Sequence, residues 1–151
     1  MKRGFTLIEL LVVVALIGVL TTLVMANFNA ARKRGRDAAR KSDLKNISTA
    51  LRLYYNDFGK YPVQDTANQI AGCGATADES CDWGTSFETT SQSYMSVLPN
   101  DPLPNVSYQY TRTDLDTFLL QACLENESDE KGVVDTSAAW CPTQYVYGVQ
   151  P

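Results

Sequence analysis

The sequence contains no histidine. The side chain that most often acts as a general base near neutral pH, and most often binds metal ions, is therefore missing. Cysteine is sparse and never spaced C-x-x-C. Cys73, Cys81, Cys123 and Cys141 thus fit neither a zinc ribbon nor a thioredoxin-type redox pair. Positive charge nearly vanishes after residue 60, where only Arg112 and Lys131 stand against thirteen acids. A nucleic-acid-binding domain would carry its basic surface on its folded part, so that class is disfavoured. No nucleophile and base form a recognisable pair, and an enzyme is not expected.

What is present divides the chain in two. Residues 1–60 hold eleven Lys or Arg against four acids, Glu9, Asp37, Asp43 and Asp57. An acidic head on a basic stem suits a soluble, self-repelling domain carried on a segment with a different task. Of the 151 residues, roughly 120 lie beyond the apolar start, enough for one modest core.

That start reads MKRGFTLIELLVVVALIGVLTTLVMANF. As a helix, Phe5 to Phe28 would measure about 36 Å, enough to cross a bilayer with some tilt. Glu9 is the one charged residue in that stretch. A secretory signal cut after Ala26 is one reading, but the apolar run is longer than such signals need and carries an acid near its start. A plain membrane anchor explains the length and leaves Glu9 without a reason, although acids inside spanning helices tend to be functional.

A third reading supplies one. The leader Met1-Lys2-Arg3-Gly4 followed by Phe5-Thr6-Leu7-Ile8-Glu9-Leu10 resembles the prepilin leader of type IV pilins and type II secretion pseudopilins. The resemblance implies cleavage after Gly4 by a prepilin peptidase, N-methylation of Phe5, and Glu9 as the assembly glutamate. Physically, the freed Phe5 amine is a cation, and a carboxylate in low dielectric is strongly drawn to one. Glu9 would pair with a neighbour's Phe5 and set the axial register.

Leu44, Ile47, Leu51, Tyr54 and Phe58 recur at spacings of three and four, an amphipathic stripe. With the Ala-rich composition before it, the stripe predicts one helix over Thr6–Phe58, capped by Gly59 and stopped before Pro62. The ending Leu53-Tyr54-Tyr55-Asn56-Asp57-Phe58-Gly59-Lys60-Tyr61-Pro62 and the segment Leu98-Pro99-Asn100-Asp101-Pro102 resemble motifs of the same family. Residues 63–97 read as a loop region with a helical turn near Tyr94–Leu98, anchored by Trp83 and Phe87. Alternation at 107–111 and 118–124 around Asp114-Leu115-Asp116 predicts an antiparallel hairpin, with a third strand at Gln144–Val149. The small sheet is expected on the Leu44–Phe58 stripe.

The organisation expected is a leader at 1–4, a membrane and filament-core helix at 5–28, a stem at 29–62 and an extracytoplasmic head at 63–151. The fold class is α+β, the pilin fold. Four cysteines outside the cytoplasm permit three pairings. Proximity in sequence favours Cys73–Cys81 and Cys123–Cys141, each worth roughly 2–3 kcal/mol by loop entropy. Glu125, Glu127, Asp129 and Glu130 lie in the second loop. The resemblance makes them candidate Ca²⁺ ligands, against the plainer reading of a solvated acidic loop and no cofactor. The chain also departs from the family. Ala26 stands where a helix-breaking proline is common, leaving Gly18 and Thr21-Thr22 as weaker flexible points. The basic run Arg32, Lys33, Arg34, Arg36, Arg40, Lys41 follows the span, so a positive-inside count predicts the opposite orientation; the leader and the cysteines outweigh it. That run reads as a solvated face touching lipid headgroups or acidic neighbouring subunits, with DNA binding as the lesser alternative.

The function implied is a structural subunit of a type IV pilus or similar filament. The partners implied are copies of itself, minor pilins, the prepilin peptidase, an inner-membrane platform protein and its assembly ATPase. Before assembly the precursor would sit in the inner membrane, surrounded by lipid. Apolar burial offers little net drive against lipid, so an external motor is expected. A pseudopilin of a secretion or competence system is the alternative within the class. A membrane-anchored or secreted binding module is the rival outside it.

Overall fold

The computed structural model describes residues 6–151, so Gly4 and Phe5 lie outside the described residues. Helix α1, Leu7–Phe58, is unbroken over 52 residues, about 78 Å. It begins one residue later than expected because Thr6 is its N-cap. It ends as expected. Gly59 adopts φ 65° and its N–H closes on the Tyr55 carbonyl, a left-handed geometry that glycine takes without a Cβ penalty.

Beyond the helix the chain is built from short strands. β1 (Val63–Gln64), β2 (Ile70–Cys73) and β3 (Glu79–Cys81) form an antiparallel sheet, and β4 (Phe87–Glu88) pairs with β5 (Ser93–Met95). The larger sheet is antiparallel in the order β6-β7-β9-β8, from β6 (Gln109–Asp114), β7 (Thr117–Cys123), β8 (Val133–Val134) and β9 (Tyr145–Val149).

The expected loop at 63–97 is therefore wrong, and so is the helical turn at Tyr94–Leu98, where β5 runs instead. Strands this short show no alternation to read, and every residue of β2 is buried. Within β2, a Cβ on Gly72 would sit 2.8 Å from the Pro62 Cβ, so close packing explains a residue that looks like a loop former. The predicted hairpin and third strand are present, with Leu115-Asp116 as the turn. Both favoured cysteine pairs are bonded.

The core lies between the outer half of α1 and the sheets. Leu44, Ile47, Leu51 and Tyr54 are buried against Tyr110, Phe118 and Leu120. Phe58, expected on the same stripe, is 39% exposed because the helix outruns the sheet, although it still stacks on Tyr54 at 4.3 Å. Tyr54 also contacts Phe87 and Tyr94, at 5.6 and 5.4 Å. The Tyr110 hydroxyl donates to the Pro62 carbonyl at 2.7 Å, so this buried phenol is satisfied.

The stripe continues past Leu44 in the same register, but with charges. Asp37 and Arg40 occupy its next two positions and are both buried. Part of the basic run is thus turned inward rather than solvated. The Arg40 guanidinium forks onto Asp101, with Nε to Oδ2 at 2.7 Å and Nη2 to Oδ1 at 2.8 Å. Its Nη1 donates to Asp37 at 2.7 Å and to Glu125 at 2.9 Å. Arg36 grips both oxygens of Glu125, at 2.6 and 2.7 Å. Asp37 in turn accepts from the backbone N–H groups of Glu125 and Asn126. Every charge has a partner, the condition under which a buried ionic group is tolerated. Burial works against the Arg40 charge, but hydrogen bonds to Asp101, Glu125 and Asp37 outweigh it and raise its pKa. Arg36 foremost, aided by Arg40, pulls Glu125 down to about 2.

Arg40→Met should leave buried carboxylates uncompensated and cost roughly 3–5 kcal/mol of stability, read by denaturant unfolding with both disulfides intact. The folded Glu125 value lies below the ordinary 4.5. Its contribution is therefore complete above about pH 4.5 and fades as pH falls through about 2. An Arg36→Ala chain should show a flatter stability profile across that acid window.

Candidate functional site

The functional end of the molecule is the first half of α1. Its described side chains are exposed from Leu7 to Gly35, and the apolar ones include Leu7 at 87% and Met25 at 67%. This portion of the helix is long and apolar enough to cross a membrane. Thr21 and Thr22 do not spoil that. Their hydroxyls donate to the Ile17 and Val19 carbonyls, at 2.7 and 2.8 Å, so their polarity is internally satisfied.

Glu9 does more than the sequence reading gave it. Its Oε2 accepts the Thr6 backbone N–H at 2.9 Å and the Thr6 hydroxyl at 2.7 Å, while the Glu9 N–H reaches back to Thr6 Oγ1 at 3.4 Å. This is a capping box. Its sequence signal is Thr-x-x-Glu before an apolar run. The box satisfies helix-start donors that water could not reach in an apolar setting, and it fixes the acid at the very start of the helix, one turn from the expected cleavage point. The expected processing pair Gly4 and Phe5 lies outside the described residues.

The outer stem is held by its acids. Besides Asp37, Asp43 accepts the Tyr108 hydroxyl at 2.7 Å and Asp57 the Tyr94 hydroxyl at 2.9 Å. Burial first, then the bond to Asp57, pushes Tyr94 up to about 12. Burial and Asp43 likewise raise Tyr108. The stem's acids thus bind its own head. Arg32 stacks on the Phe28 ring at 4.4 Å, at the junction of apolar and basic helix.

The four acids of the C-terminal loop do not converge. Glu125 is taken by Arg36 and Arg40. Asp129 pairs with Lys41 and accepts the Lys131 N–H, both of which lower its pKa. Glu127 and Glu130 are exposed. Among the described residues no three His, Cys, Asp or Glu are grouped to hold a metal ion. Glu125 and Asp129 are both engaged by cations of the stem. These residues do not fit a calcium cage in this arrangement.

Known proteins share the motif and much of the sequence behind it. Residues 1–25 match the prokaryotic N-terminal methylation motif, and residues 24–123 match type II secretion system protein G. The type II secretion system core protein G of Pseudomonas aeruginosa is 31% identical over 126 residues, covering 80% of this chain and 84% of that protein. The type IV major pilin PilA of Myxococcus xanthus is 40% identical over 69 residues, 46% of this chain but only 30% of that pilin's length. The wide pilus major component PilA4 of Thermus thermophilus is 39% identical over 69 residues, half of its own length. No solved structure matches. With its outer stem and most of its head covered by that match, behind a methylation motif, this chain belongs to the type II secretion system protein G family.

Proposed function

We propose that the chain is a structural subunit of a pilus or pilus-like filament, cleaved after Gly4, methylated at Phe5 and polymerised through α1. The observation that carries this reading is a helix half whose described apolar side chains stand exposed on all sides. A helix apolar all round is matched to lipid or to other helices. The precursor would rest in the inner membrane with its head outside the cytoplasm. Copies of itself and minor pilins would then replace lipid around the helix, driven by the platform protein and ATPase. Glu9 would meet a neighbour's Phe5 amine, its carboxylate already aimed toward the helix start by Thr6. The role is mechanical rather than catalytic.

A second reading, a short filament of a secretion system, draws on coverage. The match to core protein G extends over 84% of that Pseudomonas protein, whereas similarity to the two pilins stops at 69 residues. Electron microscopy separates the two, since long shed filaments indicate a pilus and their absence from assembling cells a pseudopilus.

Two substitutions separate the two duties of Glu9. Glu9→Gln keeps a capping side chain but removes the charge, and Glu9→Ala removes both. Both variants should be cleaved after Gly4 and both should fail to enter filaments. Normal filaments from Glu9→Gln would show that the charge is dispensable.

A further inference from the structure

Asp37 and Asp43 are turned to the head and Asp57 stands at the far end of the stem on the Tyr94 hydroxyl, so from Ala30 to Asn56 the exposed charges of the stem are all cations. Arg34, Lys45 and Arg52 are all exposed, and no salt bridge among the described residues involves them. Their spacings of eleven and seven residues place them within about 20° of one another around the helix. They form a line about 27 Å long, roughly a quarter-turn from the stripe that grips the head. Lys41 falls on the same line but is occupied by Asp129.

The head carries the opposite surface. Between residues 61 and 111 there are six acids and no Lys or Arg. Asp101 is buried against Arg40, and Asp65 accepts from Ser80 and the backbone of its own turn. Asp78, Glu79, Asp82 and Glu88 are exposed on and beside β3 and β4, Asp78 also accepting the Thr76 hydroxyl. The two strands are brought together by Gly74, whose N–H donates to the Glu88 carbonyl at 3.2 Å and whose Cα lies against the Glu79 side chain.

We propose that the Arg34–Lys45–Arg52 flank of one stem docks the Asp78, Glu79, Asp82 and Glu88 face of a second copy's head. This rests on the filament reading above. Two complementary surfaces at different places on one chain make a heterologous contact, and such contacts propagate as open helical arrays instead of closing into a two-fold pair. Packed heads of uncompensated like charge would repel one another. A cationic flank on each subunit relieves that repulsion at every step of the array. Lipid headgroups and DNA also carry anions, but neither accounts for the exposed acids on the head.

The test uses the full chain in cells that assemble it. Arg34→Glu, Lys45→Glu and Arg52→Glu together should lower filament yield at least tenfold, with cleavage, disulfides and membrane level unchanged. Adding Glu79→Lys, Asp82→Lys and Glu88→Lys should restore filaments. Normal filaments from the stem triple variant overturn the docking contact alone. A loss that the head reversals fail to restore also overturns it, and weakened binding to phosphatidylglycerol vesicles or duplex DNA then names the true occupant. A wild-type chain that forms no filaments overturns the docking and the filament reading together.

Discussion

One continuous helix has to satisfy two different surroundings, and the rest of the molecule follows from that. Its first half offers apolar side chains to whatever lies outside the chain, and its second half is a wall of the head's core. The head cannot grip the first half without hiding the surface the molecule is proposed to assemble with. Attachment is therefore concentrated below Gly35, where the apolar stripe ends in the buried Asp37–Arg40 pair.

That pair explains features that are separate in sequence. Asp101, from the Leu-Pro-Asn-Asp-Pro segment, and Glu125, from the edge of the second disulfide loop, both come to one guanidinium. A planar fork with five donors can hold one carboxylate through two parallel bonds and still reach others, a geometry that a lysine's point charge does not offer. The segment leading to the large sheet and the loop leaving it are thus fastened to the same turn of the stem. Those stem cations occupy Glu125 and Asp129 in the acidic loop, and the Cys123–Cys141 bond closes the loop covalently. With Asp37 and Asp43 turned to the head, the cations left outside acquire a direction, and the acids left on the head acquire a complement.

Much of this could be read from the residues. The 3–4–3–4 stripe, the Gly59 cap and the Tyr-Gln-Tyr alternation gave the helix, its end and the hairpin, because periodicity survives where elements are long. β1 to β5 are hidden because strands of two to four residues carry no period. The ionic cluster was visible only as an anomaly. Asp37 and Arg40 occupy stripe positions where apolar residues belong, and no rule of composition says that distant acids will meet them. The Thr6–Glu9 box is legible as Thr-x-x-Glu before an apolar run. The Phe5–Glu9 pairing is a relation between chains, and one sequence holds it only as an implication.

The central claim is that the apolar helix begins at a processed chain end. Mass spectrometry of the protein recovered from envelopes of cells that make it measures that end directly. A mature chain starting at Phe5 and bearing one methyl group on its amine is the result this account requires. A functional protein that keeps Met1 to Gly4, or one that starts at Asn27, would contradict it.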